Sequence, residues 1–159
     1  DAVRALGGEI VNPDREETSI EMDLPAYIPE TYISDELLKL QMYKKIAAIR
    51  DDEDEEEILD ELIDRFGEPP REVENLVKVS HIRAMAEHAG VVRIHEEPKK
   101  VVFDFHEKNR LTPETISALS LEFGMGILIH AGVKPFVKIN HAGKNKLQQV
   151  SIFLSKFMV

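Results

Sequence analysis

Cysteine is absent from the 159 residues, so neither a disulfide framework nor a cysteine-based zinc site can form, and a reducing, cytoplasmic setting is expected. No apolar run approaches the length of a membrane span, and no signal-peptide pattern opens the chain. The signatures of nucleotide binding are missing as well. There is no G-x-x-x-x-G-K-[ST] and no G-x-G-x-x-G; Gly124-Met-Gly126 lacks the third glycine and reads as a turn. Gly143-Lys144 lacks both the upstream glycine and the hydroxyl residue that would hold magnesium.

Metal and nucleophile chemistry is equally thin. His81 and His88 stand seven apart on a helical pattern, with Ala84 and Met85 where an intervening ligand would be needed. His95-Glu96-Glu97 reads as a polar hairpin turn, and His130 and His141 have no neighbouring carboxylate. Ser117, Ser120, Ser151 and Ser155 fall in helix patterns rather than on a strained elbow. Exposed carboxylates at their ordinary pKa are poor general acids, because catalysis needs burial or a partner to shift them. The expectation is a chain that is not itself an enzyme and holds no cofactor or metal.

What is present is a core and an uneven charge. Hydrophobic residues make up 43% of the chain, enough to exclude a disordered polymer. The net charge of -10 is concentrated: Asp51 to Asp64 hold ten acids and no base. Residues 91–159 carry ten bases against six acids. Nucleic acid is therefore repelled by the middle of the chain and only weakly attracted by its end. A basic protein surface suits the middle better.

The pattern is α+β: a helical N-terminal half, then a small mixed or antiparallel sheet with helices in the C-terminal half. DAVRALGG reads as the tail of a helix in an excised piece of a longer protein, and residues 7–18 as a linker. Ser19–Leu24 alternates as a half-buried strand, and AYIPETYIS as a Pro-interrupted extended segment. Ser34 is the expected cap of a helix carrying Leu38, Met42, Ile46 and Ile49. A second helix is predicted from about Asp54 to Phe66, stopped by Gly67, Pro69 and Pro70.

A third helix follows, with Val73, Val77, Ser80 and Ala84 on one face and Leu76 alongside, ending at Ala89-Gly90. VVRIH and KVVFDF predict a hairpin, Thr112-Pro113 opens a helix closed by Gly124, and GILIHA and FVKI predict strands. The tail fits either a strand or a helix; the stripe Leu147, Val150, Leu154, Phe157 decides for helix.

Projected at roughly 100° per residue, the second helix gathers Ile58, Leu59, Leu62, Ile63 and Phe66 on one side. Glu57, Asp60, Glu61 and Asp64 fall on the other, and Glu61 and Arg65 are spaced for an i,i+4 pair. Two readings stand side by side: a solvated face, the commoner meaning, or a docking face for an arginine-bearing partner.

YIPETYISDELLKLQMYKKIAAI followed by ELIDRFGEPPREVENLVKVSHIRAMAEHAGV resembles the C-terminal (TRCF) domain of bacterial transcription-repair coupling factors (Mfd). The pattern consists of Tyr27-Ile28-Pro29, Leu40, Tyr43-Lys44, then Glu61-Leu62-x-Asp64-Arg65-Phe66-Gly67-x-x-Pro70, Asn75-Leu76 and Gly90. It is specific from about residue 20 to 93; beyond Glu96 only order and length match. The resemblance implies that residues 1–18 are a linker and the end of a preceding motor-module helix, and that 19–159 form a regulatory domain. It implies a parent that is an ATP-dependent DNA translocase, displaces stalled RNA polymerase and recruits UvrA in nucleotide excision repair. This domain would dock on a UvrB-like module of the same protein through Glu61 and Asp64, with Glu57 and Asp60 beside them, and mask the UvrA-binding surface. It would touch neither nucleic acid nor membrane directly. The competing expectation is a small nucleic-acid-binding module using Lys134, Lys138, Lys144, Lys146 and Lys156.

Overall fold

The computed structural model describes residues 17–158. The reading of residues 1–16 therefore lies outside the described residues, and of the expected 1–18 segment only Glu17 and Thr18 are seen. The chain divides into two compact units, one containing residues 23–84 and the other residues 17–22 and 85–159.

The first unit contains helix α1 (Glu36–Ala47), helix α2 (Asp52–Phe66) and most of helix α3 (Arg71–Ala89). Its core is Ile28, Ile33, Met42, Ile46, Ile49, Leu62, Val73 and Val77, with Tyr32, Tyr43, Leu59 and Phe66 packed around it. Met42 and Ile46 of α1, Leu62 of α2 and Val73 and Val77 of α3 stand at helical spacing, so the period of 3.6 selects which side of each helix turns inward. The buried Ser80 hydroxyl donates to the Ile46 carbonyl at 2.6 Å, a polar link between α3 and α1. Ala84, expected on the buried stripe, is only half-buried.

Three local expectations are corrected. The α1 cap is Asp35 rather than Ser34: its carboxylate accepts from the Leu38 amide at 2.9 Å. Helix α2 begins two residues earlier than predicted, because Asp51 caps it and the acids that follow favour the positive end of the helix dipole. Pro29 opens a turn rather than an extended run, since its carbonyl accepts from Tyr32 and Ile33 at 3.0 and 3.1 Å.

The second unit is a five-stranded mixed sheet with helices. Strand β1 (Ser19–Ile20) runs parallel to β2 (Val91–Glu97), which pairs antiparallel with β3 (Lys100–Phe105). β4 (Ile127–His130) and β5 (Phe136–Asn140) complete the order β1-β2-β3-β5-β4. The β2–β3 turn needs Lys99 at φ 63°, as a tight hairpin demands. Helices α4 (Pro113–Phe123) and α5 (Lys146–Ser155) bring Leu119, Val150, Phe153 and Leu154 to the core. Phe153 stacks on Phe103 with ring centroids 3.9 Å apart, and Phe157 lies 5.3 Å from Phe153. The tail is therefore the helix expected.

The predicted six-residue strand over Ser19–Leu24 is only two residues long. Alternation alone does not make a strand; the ladder extends one hydrogen bond further, from the Glu21 amide to the Ile94 carbonyl at 2.8 Å, and the chain then joins the other unit. Among the described residues, no helix is long and apolar enough to cross a membrane.

Candidate functional site

The site is built on α2, a helix pinned at both ends. At its start the Asp51 carboxylate accepts from the Asp54 amide, and Asp54 in turn accepts from the Arg50 amide, each at 2.9 Å. The first bond satisfies a donor that every helix N-terminus leaves open, and the second ties the residue before the cap to the first turn. At its end Gly67 donates to the Ile63 carbonyl at 3.0 Å with φ 90°, a conformation that favours glycine. The Tyr32 hydroxyl lies 2.7 Å from the Gly67 carbonyl and 3.2 Å from that of Leu62, so it caps the last turn from outside. Burial, and then the nearby Glu68 carboxylate, raise the Tyr32 hydroxyl above its ordinary pKa, keeping it a donor.

The remaining motif residues serve this frame. The Tyr43 hydroxyl accepts from the Ile28 amide at 2.8 Å, and the Tyr27 amide donates to the Glu72 carbonyl at 3.2 Å. Pro29 makes the turn that presents Tyr32, and the Pro70 carbonyl accepts the first bonds of α3 from Val73 and Glu74 at 3.0 Å. Phe66 is half-buried and lies 5.9 Å from Tyr32, ring centroid to ring centroid. The Arg65 guanidinium rests 5.0 Å from the centre of the Phe66 ring.

The outward row is sharper than the sequence projection. Glu53, Glu57, Asp60 and Asp64 are exposed, and no cation partner is found for them among the described residues. Ile63, expected on the buried stripe, is 43% exposed, so the apolar face is narrower than predicted.

Glu61 differs from its expectation more. The wheel places it outward, but its side chain is only 26% exposed and lies between two cations. Lys45 of α1 and Arg65 of α2 each reach the same oxygen, Oε2, at 2.8 Å. The hydrogen bond from Lys45, followed by that from Arg65, holds the Glu61 carboxyl below its ordinary pKa. The predicted Glu61–Arg65 pair is present; Lys45 was missed, because a wheel drawn for one helix carries nothing of its neighbour.

A second cluster was also missed. Glu55 is only 13% exposed; it meets Lys78 at 3.0 Å and the buried His81 at 2.6 Å. Asp52 lies 3.6 Å from the other nitrogen of His81, and the three residues offer ligand atoms within 4.8 Å of one another. A cation there would compete with the Lys78 ammonium and sit at the positive end of the α2 dipole, so an ion-pair junction describes the cluster better.

The lysines of the competing reading are largely engaged. Lys138 meets Glu97 at 2.9 Å, Lys146 meets Glu96 at 2.8 Å and Lys156 meets Glu122 at 3.0 Å. Such pairing cancels the charge that phosphate contacts need.

Comparison with known proteins bears on the whole arrangement. The family model described as "TRCF domain" matches residues 22–116, well over half of the chain. The chain belongs to the TRCF domain family. The match runs from the segment before α1 through α2 and α3 and the β2–β3 hairpin into α4. This TRCF domain is 36% identical over 108 residues to the transcription-repair-coupling factor of Bacillus subtilis, covering 68% of this chain and 9% of that protein. It is 42% identical over 89 residues to the Staphylococcus haemolyticus protein of the same name, covering 56% of this chain and 8% of that one. The chain thus spans less than a tenth of the relatives' length. In structure it is similar to the crystal structure of the C-terminal domain of a transcription-repair coupling factor. The TM-score is 0.79 at 27% identity, covering 91% of this chain and 94% of that one.

Proposed function

We propose that this TRCF domain is a non-catalytic autoregulatory interaction module of a transcription-repair coupling factor. It docks through the outward row of α2 on an arginine-bearing UvrB-like module of the same protein and covers the surface that UvrA would bind. RNA polymerase engagement opens the latch in a parent that uses ATP to translocate on DNA. Neither a nucleic acid nor a membrane is a direct partner, and the protein works in the cytoplasm.

One observation carries the reading: Glu57, Asp60 and Asp64 stand in a row on a helix fixed at both ends, without a cation among the described residues. Carboxylates held that way meet guanidinium groups with defined geometry. Exposed ion pairs are worth ~1 kcal/mol or less each, which suits a contact that must open. A latch biased by only a few kcal/mol can be reversed by a competing ligand.

The test is charge reversal in the full-length parent. Glu61→Arg with Asp64→Arg, and separately Asp60→Arg with Asp64→Arg at the exposed positions, should each raise UvrA binding. The second pair leaves the Lys45–Glu61–Arg65 contacts intact, so it separates unlatching from damage to α2. UvrA binding no stronger than that of the unsubstituted protein in both variants would refute the assignment.

A further inference from the structure

We propose that Lys45 is an internal competitor for Glu61, keeping the docking face weaker than its carboxylates alone would make it. The inference rests on the docking reading above and concerns how strongly that face can grip. Both cations on Glu61 use Oε2, at 2.8 Å each, and Oε1 has no partner among the described residues. Two positive charges therefore surround one negative charge. An incoming guanidinium meets a site whose attraction is already cancelled, unlike the row at Asp60 and Asp64.

The two cations differ in how firmly they are held. Arg65 comes from the same helix, one turn after Glu61, and lies over the Phe66 ring with its Nη1 3.7 Å from the Met42 sulfur. The contact with the Phe66 ring and the one with Met42 keep it in place, so it orients Glu61 whatever else happens. Lys45 reaches across from α1, is 49% exposed, and has Glu61 as its one partner among the described residues. A flexible, well-hydrated ammonium of that kind leaves easily. Arg65 is thus the positioning residue and Lys45 the displaceable one. Docking through Glu61 either displaces Lys45 into water or uses Oε1 of a carboxylate that two cations already neutralise, and either lowers the net gain.

Lys45→Met in the full-length parent tests this. Removal of the competitor should tighten the latch and weaken UvrA binding about two- to fivefold, the range set by one exposed ion pair. The effect should vanish in a Glu61→Gln background and persist in an Asp64→Asn background. In the 159-residue chain, the Glu61 carboxyl followed by NMR should titrate at higher pH after Lys45→Met. Unchanged or stronger UvrA binding in Lys45→Met, or an equal effect without Glu61, overturns the inference while leaving the docking reading standing. If the Asp60→Arg and Asp64→Arg pair fails to change UvrA binding, the docking reading falls and this inference with it.

Discussion

Gly67 and Gly90 have nearly the same φ, 90° and 86°, yet their surroundings are opposite. A Cβ built on Gly67 would meet nothing within 4 Å. One built on Gly90 would lie 2.8 Å from the Asn109 Cα and 2.9 Å from the Lys108 carbonyl oxygen. Replacing each by alanine therefore separates conformational strain from steric clash. The strain of a non-glycine residue at such φ is about 1–3 kcal/mol. Alanine also stiffens the unfolded chain, returning about 0.4–1 kcal/mol.

Gly67→Ala should thus destabilise the first unit by about 1–2 kcal/mol, with no contribution from packing. Gly90→Ala meets a similar positive φ, and the two nearest atoms belong to the backbone and cannot rotate away. Overpacking of that kind adds about 1–3 kcal/mol. Denaturant titration gives the two losses, and amide exchange at Phe66–Glu68 and at Lys108–Arg110 reports each site locally. Equal losses would refute the reasoning, as would a Gly67→Ala variant as stable as the parent.

Two further outcomes follow from contacts already described. Tyr32→Phe should cost about 0.5–1.5 kcal/mol by leaving the Gly67 carbonyl without its donor, and should speed amide exchange in the last turn of α2. Unchanged exchange there would mean that Tyr32 does not cap the helix. The second concerns acid. Glu61 is held below its ordinary pKa first by Lys45 and then by Arg65, and Glu97 is held below its own chiefly by Lys138. A carboxyl depressed in the fold stabilises at pH above its unfolded value near 4.5, and that contribution is lost as pH falls through the folded value. Lys45→Met and Lys138→Met should therefore each lose less stability than the parent between pH 7 and pH 3, read from denaturant midpoints. Identical acid slopes would show that these pairs do not persist in solution.

The elements legible in the sequence were those whose signal is local. The period of α2 and its stop at Gly67 were read, though not its Asp51 cap, and Thr112-Pro113 with Gly124 brackets α4 without reference to anything distant. Placement of α5 turned on a choice between two periods, and the longer stripe won because Val150, Phe153 and Leu154 all had a core to enter. Illegible were features decided by another part of the chain. β1 is short because the chain leaves β2, a partner far along the sequence, for the other unit after Met22. Ile63 is exposed because the core beneath α2 covers a narrower arc than the run of apolar residues suggests. Glu61 points toward α1 because Lys45 is there. The carboxylates that kept the expected orientation, Glu57, Asp60 and Asp64, sit in the middle of the polar arc, where no cation among the described residues reaches them.

The pairing of β1 with β2 also fixes an order of events. Thr18 donates its hydroxyl to the Val91 carbonyl at 2.6 Å across 73 positions of chain. Closing so long a loop is costly in entropy, whereas residues 23–84 find most of their partners within neighbouring helices. During synthesis the helices can therefore form while the strand that precedes them waits, unpaired, for β2 and β3 to emerge. β1 is thus made before the helices but placed after them, and until then β2 presents a bare edge.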